Sequence, residues 1–151
     1  MTDKTLVSVI IPTKNSEDTI EKCLESIKNQ TYPDVEIILV DNYSRNHTKE
    51  IARKYGARIY LKGPERASPV NFGVKEAKGK YVYRDDSDFV LEPSVVEEAV
   101  TKCEVEGYDA VAVHNTSDPT VVFGQRLENF KETAIETMSL ILGEIPYERS
   151  V

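Results

Sequence analysis

Val7-Ser-Val-Ile-Ile11, closed by Pro12, and Val35-Glu-Ile-Ile-Leu-Val40, entered through Tyr32-Pro33-Asp34, decide the fold. Both runs are short, rich in β-branched residues and apolar almost throughout, the pattern of strands covered on both faces of a sheet. Between them Ile20, Cys23, Leu24 and Ile27 recur at helical spacing, which predicts a helix over about 17–29 with Ser16 as its N-cap. Strand, helix and strand in that order make a crossover unit, and crossover units build parallel sheets.

The alternation continues along the chain. A second helix is expected around 47–55, with Ile51, Ala52 and Tyr55, stopped by Gly56. Arg58-Ile-Tyr-Leu61 reads as a third, weaker strand, followed by a loop from Lys62 to Pro69 and a helix near 70–78 that ends at Gly79. Tyr81-Val-Tyr83 is a fourth strand. Pro93-Ser94 opens a helix carrying Val95, Val96, Ala99, Val100 and Cys103, and Asp109 to Val113 is a fifth strand. Phe123, Leu127, Phe130, Ala134, Met138 and Ile141 predict a last amphipathic helix over about 123–142. The fold class is α/β, with a mostly parallel sheet flanked by helices. A chain of 151 residues suits one core and is short for two, and no repeat or linker divides it, so a single domain over 1–151 is expected.

Composition narrows the function. Hydrophobic content of 40% and charged content of 30% exclude a disordered chain. A net charge of −7 argues against a nucleic-acid partner, which would require a basic face. An acidic protein that handles an anionic substrate needs local positive charge, from a metal ion or from a few placed Arg and Lys residues. Asp3 and Lys4 lead straight into the short apolar run Leu6 to Ile11, so no signal peptide is expected, and no stretch approaches the ~20 apolar residues of a membrane span. Cys23 is in phase with Ile20 and Leu24, and Cys103 with Ala99 and Val100. Both read as buried core thiols in preference to a disulfide, with a reducing cytoplasm as the expected compartment. His47 and His114 stand alone, which disfavours zinc, and Ser8, Ser68 and Ser87 lack a nucleophile-elbow context.

In open α/β sheets ligands bind outside the carboxyl ends of the strands, so the residues just after each strand carry the functional reading. They are Pro12-Thr-Lys-Asn15, Asp41-Asn42, Gly63-Pro-Glu-Arg66 and Asp85-Asp-Ser-Asp88. Clustered carboxylates repel unless solvated or bound to a cation. Asp86 and Asp88, two apart in an extended segment, project the same way and can share a hard ion such as Mn2+ or Mg2+; the alternative is a solvated acidic strand end. Asp41 reads as a ribose-gripping acid or as a turn residue. The glycine-rich phosphate loop of dinucleotide-binding folds is missing after the first strand, which disfavours a nicotinamide or flavin enzyme. Arg66 reads as a bidentate phosphate contact or as a surface arginine, with Lys14 and Arg84 as weaker versions of the same.

As an ordered series these segments resemble the family-2 glycosyltransferases of the GT-A fold. The matching pieces are Val7 to Asn15, Leu24 to Thr31, Glu36 to Asn42, Glu65-Arg66, Asn71-Phe-Gly73, Ala77-Lys-Gly79, Tyr81 to Asp88 and Leu91-Glu-Pro93. The resemblance implies a Rossmann-like nucleotide-sugar-binding domain with its donor-binding core over 1–115. It implies that Pro12, Thr13, Lys14 and Asn15 border the nucleotide, that Asp41 contacts base or ribose, and that Arg66 and Asn71 are substrate-binding. It makes Asp86-Ser-Asp88 the D-x-D motif, with Asp88 the surer metal ligand and Asp86 touching ribose or metal. The implied activity is an inverting, metal-dependent transfer from a UDP-, GDP- or dTDP-sugar to an unknown acceptor.

Two departures accompany the resemblance. Val70 stands where the family often has Arg or Lys, which shifts weight onto Arg66. The acceptor half with its general base normally lies well beyond the D-x-D segment, and most of the 63 residues that follow Asp88 resemble no acceptor motif, so no general base is assigned. A donor-binding regulatory or scaffold domain is the non-catalytic alternative. A sugar-1-phosphate nucleotidyltransferase is disfavoured, because Pro12 to Asn15 do not resemble its glycine-rich, arginine-containing loop. The C-terminal stripe reads as core, or as a contact with a partner subunit or a membrane surface. Its polar face, with Glu128, Lys131, Glu132 and Glu136, is not the basic face that anionic lipid requires.

Overall fold

Pro12 does not end the first strand. In the computed structural model, which describes residues 5–63, 67–114 and 138–142, β1 runs Val7–Thr13. Along a parallel strand the N–H and C=O of alternate residues point to the same side. The Ile10 carbonyl accepts the Asp85 N–H on one side and the Thr13 carbonyl accepts the Asn42 N–H on the other, so the imino nitrogen of Pro12 faces the side of Asp85. There the ladder has already ended, at Ile10 opposite Arg84. Proline therefore costs no ladder bond here and helps hold the gap open.

The elements follow as α1 Ile20–Lys28, β2 Val35–Asp41, α2 Thr48–Lys54, β3 Arg58–Leu61, α3 Ala67–Glu76, β4 Tyr81–Arg84, α4 Val95–Glu106, β5 Ala110–His114 and β6 Met138–Leu142. The sheet order is β3-β2-β1-β4-β6-β5, with the first four strands parallel. β6 lies antiparallel between β4 and β5.

β6 corrects the expectation of a helix through residue 142. Ile141 sits opposite Tyr83 on β4 and Val111 on β5, so the end of the apolar stripe is a strand. The earlier part of that stripe, Phe123 to Ala134, lies outside the described residues. The other elements match the sequence reading to within three residues at either end.

Alternation along β1 and β2 divides the core. Val7, Val9, Ile11, Ile37 and Leu39 meet Ile20, Cys23, Leu24 and Ile27 of α1, Ala52 of α2 and Val96, Ala99 and Val100 of α4 on one face. Ile10, Ile38 and Val40 meet Phe72, Val74 and Ala77 on the other, where α3 packs. Gly73 permits that approach, since a Cβ there would stand 2.5 Å from Ile10 Cγ2. Both cysteines are free and buried, as their phase predicts. Among the described residues no helix is long and apolar enough to cross a membrane.

Candidate functional site

β1 has β2 on one side and β4 on the other, so strand order reverses at β1, and a crevice opens beyond the ends of β1 and β4. That crevice is an open cleft of about 800 Å3. It is lined by Pro12, Thr13, Lys14 and Asn15 at and just beyond the end of β1, and by Arg84, Asp86, Ser87 and Asp88 at and just beyond the end of β4. Ser16, Asp18, Thr19, Asn42 and Pro69 complete the wall. Six of the site residues expected from sequence thus share one cavity.

The loop after β1 is held in a conformation that side chains rarely adopt. Asn15 has φ of 50°, which for a non-glycine residue persists only where its surroundings fix it. Its N–H donates to Ser44 Oγ at 2.7 Å, and its Oδ1 accepts the Arg45 N–H at 2.9 Å. Ser44 in turn donates both its N–H and its hydroxyl to Asp41, whose carboxylate is fully buried with Lys49 Nζ 3.6 Å away. Asp41 is therefore not on the cleft wall; it anchors the loop that anchors Asn15.

Ser16 does not serve as the N-cap of α1. Its N–H donates to the buried Thr48 hydroxyl at 2.9 Å, while its own hydroxyl accepts from Thr13 and pairs with Ser87 Oγ at 2.9 Å. The helix starts later, at Ile20, with Thr19 at its N-cap position. One residue thus ties the loops after β1 and β4 together. The sequence signal was present in Ser16 and Ser87, but nothing local shows that residues 71 apart in sequence meet.

The three carboxylates after β4 have separate fates. Asp85 points into the core at 0% exposure, its Oδ1 accepting the Asp86 N–H at 3.1 Å and its Oδ2 facing Cys23 Sγ at 3.7 Å. Burial pushes its pKa up to about 8, with the charge of Asp86 adding to the effect against the Asp86 N–H. Burial, then the nearby Asp85 charge, push the Cys23 thiol up as well. Asp86 and Asp88 line the cleft instead, Asp86 with Arg84 Nη2 at 3.2 Å from its Oδ1. Asn71 is exposed on α3 and does not line the cleft, and Arg66 lies outside the described residues.

Among the described residues no group of three or more His, Cys, Asp and Glu side chains is placed to hold a metal ion. The described residues thus do not by themselves build a site made wholly of protein ligands. Two carboxylates on an open cleft suit a different arrangement, in which a hard divalent ion is held by one or two acids together with substrate phosphates.

Comparison with known proteins gives this geometry a context. The chain is 31% identical over 156 residues to the poly(ribitol-phosphate) beta-N-acetylglucosaminyltransferase TarS of Staphylococcus aureus, covering 95% of this chain and 26% of that protein. It is 33% identical over 114 residues to the glycosyltransferase AglE of Haloferax volcanii, covering 70% of this chain and 38% of AglE. A structure of S. aureus TarS 1–349 in complex with UDP-GlcNAc superposes with a TM-score of 0.70 at 25% identity, over 89% of this chain and 44% of that one. The mannosyltransferase PcManGT of Pyrobaculum calidifontis, in complex with GDP-Man and Mn2+, gives 0.66 at 25% identity over 76% and 37%. The chain spans well under half the length of these curated relatives. The model of glycosyl transferase family 2 matches residues 8–147, nearly the whole chain, and with these relatives and the GT-A architecture it shows that this protein belongs to that family.

Proposed function

We propose that the cleft between β1 and β4 binds the nucleoside diphosphate of a nucleotide-sugar and serves a metal-dependent, inverting transfer to an acceptor hydroxyl. The observation that carries this reading is the convergence of Pro12 to Asn15 with Asp86 and Asp88 on one open cleft at the switch point of the sheet. The complexes of related structures with UDP-GlcNAc and with GDP-Man and Mn2+ support it.

Residue by residue, Thr13, Lys14 and Asn15 border the nucleoside. Asp41 acts through Ser44 as a positioning residue that keeps Asn15 in its left-handed conformation. Asp86 and Asp88 would hold Mn2+ or Mg2+, which when bound offsets negative charge developing on the leaving diphosphate. Lys14 and Arg84 supply protein cations on the same wall, with Arg66 as a proposed further contact on the donor. The two free cysteines agree with a reducing, cytoplasmic setting.

A thermal-shift panel of UDP-, GDP- and dTDP-sugars, each with Mn2+ and with EDTA, tests the reading. At least one donor is expected to raise the unfolding midpoint, since a ligand at 100 times its Kd adds about 2.7 kcal/mol, and EDTA should abolish the rise. A flat response across the panel in Mn2+ would overturn the proposal.

A further inference from the structure

Arg84 lies within reach of both parties to the proposed site. It is the last residue of β4, and its Nη2 contacts Asp86 Oδ1 at 3.2 Å, with the two side chains 48% and 40% exposed. Among the described residues the cleft wall carries two cations, Lys14 and Arg84, against three acids, Asp18, Asp86 and Asp88. Such a wall repels a diphosphate unless its acids are neutralised. An exposed ion pair between long side chains is held weakly, so this one can exchange partners at little cost. A guanidinium and a divalent cation compete for the same carboxylate, while the guanidinium fork matches phosphate oxygens better than a single carboxylate oxygen.

We propose that Arg84 is an exchangeable counter-ion: it holds Asp86 before donor arrives, and turns to the diphosphate when a divalent cation takes that carboxylate. This rests on reading the cleft as the diphosphate site. Exchange couples the two ligands, because each favours the arrangement in which Arg84 has left Asp86, and such coupling is reciprocal. Arg84 thus opposes the bare metal ion and favours metal together with diphosphate.

Isothermal titration on the full chain separates these effects, using Mn2+ alone and then UDP and GDP in saturating Mn2+. Arg84→Met is expected to bind Mn2+ alone roughly two- to fivefold more tightly than wild type, the range of an exposed ion pair. The same variant is expected to bind the preferred diphosphate roughly tenfold more weakly in Mn2+. Arg84→Lys, which keeps the charge without the fork, should fall between on both measures. Unchanged or weakened Mn2+ binding in Arg84→Met, or unchanged diphosphate binding, would overturn the exchange while leaving the donor-site reading intact. Failure of wild type to bind either diphosphate in Mn2+ would instead overturn that reading, and the exchange with it.

Discussion

At the scale of single residues, the site depends on hydroxyls that reach across loops. Thr48 is fully buried, accepts the Ser16 N–H and donates to Asn46 Oδ1 at 2.6 Å. Thr48→Val keeps the volume but leaves the Ser16 N–H without its acceptor, while Asn46 Oδ1 keeps the Thr48 N–H at 3.2 Å, so it is expected to cost about 1–3 kcal/mol, read from urea unfolding. The same variant should loosen the proposed nucleotide binding, because Ser16 holds Ser87 between Asp86 and Asp88. Residue identities at this scale were largely legible in the sequence: Pro12 to Asn15, Asp86 and Asp88 all line the cleft. Asp41 was legible as a strand-end acid, but its inward direction was not, since one strand position sets the face a side chain takes and the Ser44 contact then holds it there. Ser16 misled, because with a helix expected from about residue 17 its hydroxyl reads as a cap, while its partners Thr48 and Ser87 are distant in sequence.

At the scale of elements, one network ties the crossover from β3 through α3 to β4 onto β1 and β2. Glu36 accepts from the Ser8 hydroxyl, from the Lys78 N–H at 2.7 Å and from Arg58 Nη2 at 2.8 Å, while the Gly79 N–H donates to Ser8 Oγ at 2.8 Å. Partial burial alone would raise the pKa of Glu36, but these bonds from Ser8, Lys78 and Arg58 outweigh it and hold the pKa below the ordinary 4.5. The unfolded chain therefore takes up this proton more readily than the folded one. The stabilisation is complete above the unfolded value and is lost as pH falls through the folded one. Acid unfolding followed by circular dichroism should show that loss below about pH 4.5, and Glu36→Gln should flatten it. Gly79→Ala tests the same junction sterically. Its Cβ would stand 2.7 Å from the Leu6 carbonyl oxygen and 2.8 Å from the Ser8 nitrogen, and backbone cannot yield as a side chain does. An overpacking cost of about 1–3 kcal/mol is expected, seen as a lowered melting midpoint. The parallel strands and α1 to α4 were legible because apolar period and breakers agree within each. β6 was not, since a short, mostly apolar run fits strand or helix alike, and its place between β4 and β5 is decided by the two edges it joins.

At the scale of the whole molecule, a sheet whose order reverses at β1 creates the cleft, and an acidic chain places Lys14 and Arg84, two of its 19 Lys and Arg residues, at that rim. The sequence carried the architecture because four strands and their crossovers leave few topologies open. It did not carry the hydrogen bonds that join the loops, which depend on contacts between residues 28 to 71 positions apart. The central claim is that this cleft binds a nucleoside diphosphate through a cation held by Asp86 and Asp88. Isothermal titration of UDP and GDP in the presence of Mn2+, on wild type and on Asp88→Ala, tests it most directly. Wild type should bind one of the two, and the variant should bind it at least about tenfold more weakly, or ~1.4 kcal/mol. Equal affinity in Asp88→Ala and wild type would contradict the claim.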